Sequence, residues 1–200
     1  MKVLNLGCGK IDIKRFESYT SVVHVDRYFN EGCYDSIKYI EENFENPSSS
    51  VYPNFICKSD IFEFIDTFKY KFDMVIAERI FEHMEYVGGE VGRLLEGLNA
   101  ITTDKGIVSI VVPNMVLISK MLLDYENESV NYTHTGSLNT KLIINSETTN
   151  CRSDPHLSVW TPVLAKEYIE SEGTWKIDNI EERIKFAGRD IYMRITISKT

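Results

Sequence analysis

Little in this 200-residue chain points to metals, crosslinks or membranes. Its four cysteines, Cys8, Cys33, Cys57 and Cys151, are scattered singly, with no CxxC pair and no histidine at ligand spacing. That argues against a zinc site or a disulfide framework and for reduced thiols. No apolar run approaches the length of a membrane span, and the opening MKVLNLG has no extended apolar stretch behind a basic start. A soluble, cytoplasmic protein is the expectation. Basic residues are in the minority: 22 Lys and Arg against 30 Asp and Glu give a formal net charge of −8. The mean field therefore repels polyanions and disfavours nonspecific nucleic-acid binding. No repeat or composition break marks a domain boundary, and a 43% hydrophobic content is enough for one core, so a single domain over residues 1–200 is expected.

What is present is an alternation of short β-rich runs with helical ones. KVLNL, SVVHVD, NFICKSD, FDMVIAE and GIVSIVV read as strands. Helical segments are expected around KRFESY, at YDSIKYIEENF, IFEFIDTF and EVGRLLEGLNAI, and from Met115 to Tyr125. Such alternation predicts parallel strands joined by helices, and strands apolar on both faces belong in the middle of a covered sheet. VLAKEYIESEG reads as one more helix. Ile191, Met193, Ile195 and Ile197 then alternate strictly with polar residues, which with WKIDNIEERIKF and Gly188 suggests a final antiparallel hairpin. From about Glu126 to Pro155 the composition turns polar, interrupted only by KLIIN. This insertion is open to three roles: a lid, an oligomer contact or a surface loop.

The most informative stretch is Leu6-Gly7-Cys8-Gly9, directly after the first strand. In an open α/β sheet ligands bind outside the carboxyl ends of the strands, where strand order reverses, and glycine there permits positive φ and close approach. Equally, the two glycines could only turn the chain. The dinucleotide fingerprint needs a third glycine, but Asp12 occupies that position, three beyond Gly9, and a carboxylate beside a pyrophosphate is unfavourable. Asp26 stands nineteen positions after Gly7 at the end of VVHVD, where an acidic side chain accepts from both hydroxyls of a ribose. The two features together ask for a nucleoside without phosphates.

With these residues in view, the chain resembles the class I S-adenosylmethionine-dependent methyltransferases, in particular small bacterial and phage members. LNLGCG is similar to their first motif, HVD to the ribose-binding acidic motif, SDIFEF to the adenine-binding segment and FDMVIAERIFEHM to the fourth-strand motif. GIVSIVVPN resembles the fifth strand, HLSVWTPVLAKEYIESEG the segment before the last helix and IYMRITISK the closing strand. The resemblance covers nearly the whole chain, in order. It implies a Rossmann-like, doubly wound and mostly parallel seven-stranded sheet with a final antiparallel hairpin, binding S-adenosylmethionine. Gly7, Cys8 and Gly9 would lie under the methionine part, with Asp26 and the adjoining Arg27 at the ribose. Asp60 would accept from the adenine amino group, Ile61 would pack on the ring, and Glu78 would lie near the methionine moiety. Asp60 also reads as a plain helix cap before IFEFIDTF. The acceptor region from Glu126 to Pro155 matches no segment of that family.

Transfer of a methyl group from a sulfonium is an in-line displacement in which alignment supplies most of the acceleration. A base is needed only for a hydroxyl or a protonated amine, and His83 and His156 are the candidates. Each has a packing role as its alternative, and His24 reads as structural. Glu82 is expected to point into solvent or to brace a neighbour. Ala77-Glu78-Arg79-Ile80 stands where exocyclic-amine DNA methyltransferases carry an Asp/Asn-Pro-Pro-aromatic element, and no Pro-Cys dipeptide is present. A small-molecule or glycan acceptor is therefore expected over nucleic acid. A non-catalytic scaffold of the same fold and a dinucleotide-dependent oxidoreductase are the competing readings.

Overall fold

The apolar runs that read as strands lie side by side in one sheet: β1 (Lys2–Leu6), β2 (Ser21–Val25), β3 (Asn54–Cys57), β4 (Phe72–Glu78), β5 (Thr102–Pro113), β6 (Trp175–Phe186) and β7 (Arg189–Lys199). The structure, a computed structural model, describes residues 1–7, 13–29, 34–44, 54–86, 89–126, 157–171, 173–186 and 189–200. Strand order is β3-β2-β1-β4-β5-β7-β6. β1 pairs in parallel with both β2 and β4, β2 with β3, and β4 with β5. β7 runs antiparallel between β5 and β6. This is the expected doubly wound, Rossmann-like α/β sheet with a closing hairpin. The chain moves outward from β1 to β3 and then returns to place β4 beside β1, so the switch point lies between β1 and β4.

Helices α1 (Ile37–Phe44), α2 (Ile61–Thr67) and α3 (Glu90–Ile101) carry apolar residues at three- and four-residue spacing, and these enter one core. Ile40, Phe44, Phe64, Leu94 and Leu98 join Leu4, Val23, Val75 and Ile110 of the strands. The rings of Phe44, Phe68 and Phe72 lie 5.2 to 5.4 Å apart, within the range of favourable aromatic packing. Beyond β5, α4 (Met115–Glu126) packs Ile118 against Val111 and Tyr192. A further helix, α5 (Pro162–Ser171), buries Ala165 and Ile169. The polar stretch expected to form an insertion, 127–156, lies outside the described residues.

Two local expectations are corrected. The helix expected around KRFESY is a single 3-10 turn, Ile13–Phe16, in the link between β1 and β2. Its buried Phe16 stands edge-on to His24 at 4.9 Å and so caps a polar trio within the sheet. Asn5 Nδ2 faces His24 Nδ1 at 3.0 Å, and His24 Nε2 faces Asn54 Oδ1 at 3.4 Å. An amide nitrogen only donates, so Nδ1 accepts and the ring carries its proton on Nε2. The second correction concerns the fifth strand, expected at GIVSIVV: Thr103-Asp104-Lys105-Gly106, ahead of most of that run, already lies inside β5. Between Phe72↔Thr102 and Met74↔Ile107 the register advances two residues on β4 and five on β5, so these residues form a bulge. Gly106 lets it close: a Cβ there would lie 3.1 Å from the Asp73 carbonyl.

Candidate functional site

At the carboxyl ends of β1 to β4 the chain encloses a cavity of about 420 Å³. Gly7 enters from β1; Asp26, Arg27 and Tyr28 from the end of β2; Asp60, Ile61 and Phe62 from the start of α2, which follows β3; and Arg79, Ile80, His83 and Met84 from the end of β4 and the turn after it. Each group is placed by its strand or by the turn that ends it. Gly7 has φ +58 and donates its N–H to Val25 O at 2.9 Å, which ties the end of β1 to β2. Asp26 is buried, its N–H donates to Cys57 O, and its Oδ1 accepts from Tyr28 N at 2.7 Å, so the carboxylate sits in a tight turn. Asp60 caps α2, accepting from Phe62 N at 2.9 Å, and also lines the cavity; the cap and the site role therefore coexist in one residue. Arg27 lies over the Tyr28 ring, donates to its hydroxyl and pairs with Asp60 at 3.8 Å.

The β4 end is built differently. Arg79 has φ +59 and is the one non-glycine residue with positive φ among the described residues. Its N–H donates to Val111 O at 2.8 Å. A 3-10 turn, Phe81–His83, follows and sets His83 on the cavity wall. Of the two roles expected for Glu82, the structure shows the brace and not the solvated carboxylate: it is 1% exposed and its Oε1 lies 3.9 Å from Arg79 Nε. The extended segment 157–161 crosses this turn. Leu157 N and Ser158 N donate to Glu82 O at 2.7 and 3.1 Å, and Trp160 Nε1 reaches Phe81 O through the Ser158 hydroxyl. Tyr86 donates its hydroxyl to Val159 O at 3.0 Å, and burial holds that phenol above its ordinary range. Leu157 thereby becomes part of the cavity wall, and Glu90, the first residue of α3, joins it with Oε2 accepting from Glu85 N at 3.0 Å.

The structure thus brings together Gly7, Asp26, Arg27, Asp60, Ile61 and His83 among the residues marked in the sequence. Cys8, Gly9 and His156 lie outside the described residues. Glu78 is absent from the residues lining the cavity; its carboxylate takes a bidentate bond from Arg15, 2.6 Å for Nη1 to Oε2. Arg79, Met84, Glu90 and Leu157 were not singled out in the sequence. Arg79 gave no signal there, because nothing local marks an arginine for left-handed backbone. Cys57, at the end of β3, is buried and its thiol is pushed up to about 11 by burial and then by Asp35 and Glu63, which keeps it protonated and unreactive. Among the described residues no group of three His, Cys, Asp or Glu is placed to hold a metal, and no helix is long and apolar enough to cross a membrane.

No protein-family profile matches the chain, and no curated protein matches it in sequence. Solved structures do match in fold. Magnesium protoporphyrin IX methyltransferase (ChlM) from Synechocystis PCC 6803, solved with bound SAH, aligns over 99% of this chain and 74% of its own, at 10% identity and a TM-score of 0.55. The methyltransferase domain of bacterial CtHen1-C aligns over 99% and 89% respectively, at 13% identity and a TM-score of 0.55. The N-methyltransferase NodS from Bradyrhizobium japonicum WM9 aligns over 99% and 85%, at 8% identity and a TM-score of 0.54. At these identities the likeness is one of fold: the chain has the Rossmann-like fold of the class I S-adenosylmethionine-dependent methyltransferases.

Proposed function

We propose that the protein binds S-adenosylmethionine in this cavity and catalyses transfer of its methyl group to a small-molecule or glycan acceptor. The observation that carries the reading is convergence: the ends of four adjacent parallel strands meet in one cavity at the switch point, with a buried acidic residue closing β2. Its size is within the range of small-ligand sites. The chemistry of the donor set fits this cofactor. Asp26 and Asp60 suit hydroxyls, an amino group and a cationic sulfur, while Ile61 and Phe62 offer an apolar wall for a flat ring. The cofactor supplies a methyl group already activated on a sulfonium.

The chain's own contribution is then orientation and exclusion of water. Asp26 and Asp60 hold polar groups at the β2–β3 side, Ile80 and Leu157 form apolar walls, and the acceptor enters on the β4 side. There His83 is the residue able to take a proton from an acceptor hydroxyl or ammonium, which contributes roughly 10²–10⁴ in rate where such a proton is present.

Thermal unfolding tests the ligand class. S-Adenosylhomocysteine at about a hundred times its Kd stabilises a folded protein by about 2.7 kcal/mol, a rise in Tm of roughly 5–10 °C for a chain of this size. NADH is expected to give no rise. A rise with NADH and none with S-adenosylhomocysteine would overturn the reading in favour of a dinucleotide site.

A further inference from the structure

We propose that Arg79 selects the acceptor: its guanidinium receives an anionic group, a carboxylate or a phosphate, on the molecule that enters the β4 side of the cavity. This rests on the methyl-transfer reading above and names the acceptor class for it. Among the described residues two guanidinium groups line the cavity, and they are not equivalent. Arg27 stacks on Tyr28, donates to the Tyr28 hydroxyl and pairs with Asp60. Arg79 lines the cavity with its side chain 42% exposed, and its charged partner is Glu82, with Oε1 3.9 Å from Nε. That distance is an ion pair but lies beyond hydrogen-bond reach, so the carboxylate fixes the guanidinium without consuming its donors. The main chain of Glu82 is anchored, since its carbonyl takes both Leu157 N and Ser158 N, and its side chain is 1% exposed.

Left-handed backbone is unfavourable at a residue with a side chain, because its Cβ crowds the following carbonyl oxygen. It persists here at Arg79, the one non-glycine residue with positive φ among the described residues and part of the cavity wall, held by the bond from Arg79 N to Val111 O. Strain of this kind collects where side-chain direction matters. A planar fork of N–H donors matches the two oxygens of a carboxylate or phosphate, whereas a neutral hydroxyl uses one donor and gains no charge assistance. Another acid, Glu90, also lines the cavity. Its carboxylate is engaged by Glu85 N at the start of α3, where the helix dipole favours negative charge.

The test uses benzoate, phenyl phosphate and neutral benzyl alcohol as probes, followed by ligand-observed NMR on the protein saturated with S-adenosylhomocysteine. At least one anion is expected to bind more tightly than the alcohol, and Arg79→Gln to weaken that anion about tenfold with the alcohol unchanged. Whichever anion shows the loss identifies carboxylate or phosphate as the recognised group. Arg79→Lys, which keeps the charge but not the fork, is expected to fall between and carries the test where Arg79→Gln does not fold. Equal affinities in wild type and variant, or no preference for anions, would overturn the proposal. So would a variant that loses S-adenosylhomocysteine affinity but not probe affinity, which would put Arg79 on the cofactor's own carboxylate. If wild type fails to bind S-adenosylhomocysteine, the methyl-transfer reading falls, and the same titration without it still decides whether Arg79 selects anions.

Discussion

Gly7→Val is expected to lower the melting temperature by about 5–15 °C and to abolish ligand binding in the cavity. Two costs add. At φ +58 a side chain meets its own backbone, worth about 1–2 kcal/mol. The new Cβ would also stand 2.6 Å from Ile80 Cγ1 and 2.8 Å from its Cδ1, closer than carbon atoms approach. Ile80 is 4% exposed and belongs to the main core, so it can yield only by displacing neighbours, at about 1–3 kcal/mol for an overpacked site. Ile80 is also part of the cavity wall, so disturbing it disturbs the site. A differential scan on both proteins checks this; a melting temperature unchanged within error would contradict the left-handed turn at Gly7.

The second large effect is acid destabilisation through His24. This ring is fully buried, and burial pulls its pKa down from 6.5 to about 4, with the hydrogen bond to Asn54 acting in the opposite direction. The folded state therefore holds the neutral ring. The unfolded chain takes up a proton as pH falls through 6.5, while the folded protein does so only near 4. Stability is complete above about pH 6.5 and declines between 6.5 and 4. From pH 7 to pH 5 the loss is about 2 kcal/mol, a large share of the stability of an ordinary domain. His24→Gln keeps a polar side chain without the titration, so its urea midpoint should change less over the same interval by that amount. The same pH dependence in variant and wild type would remove His24 as its source.

How far the sequence led can be judged residue by residue. The parallel strands were legible because their apolar runs are short and bounded by turns, and alternating Ile191, Met193, Ile195 and Ile197 marked the antiparallel β7. The stretch after Gly7 was not. A helix is expected around KRFESY, but among the described residues one 3-10 turn sets the buried Phe16 over His24. Gly106 is ambiguous in the sequence, since a tight turn and a bulge ask the same freedom of glycine, and only strand pairing separates them.

The site divides along the same line. Asp26 stands directly after β2, where its spacing from Gly7 locates it, and Asp60, three residues past β3, is marked by the resemblance of SDIFEF to the adenine-binding segment. Glu78 also ends a strand, yet Arg15, from a distant part of the chain, engages its carboxylate. Glu82 and Leu157 join the β4 side through a main-chain bond spanning 157–161 and the Phe81–His83 turn, a pairing no local pattern announces.

The most direct measurement of the central claim is calorimetric titration of wild type and Asp26→Ala with S-adenosylhomocysteine at physiological salt. The account predicts micromolar binding to wild type, weakened about a hundredfold in the variant, because two ribose hydroxyls lose a charged acceptor. No binding to wild type, or equal binding to both proteins, would contradict it.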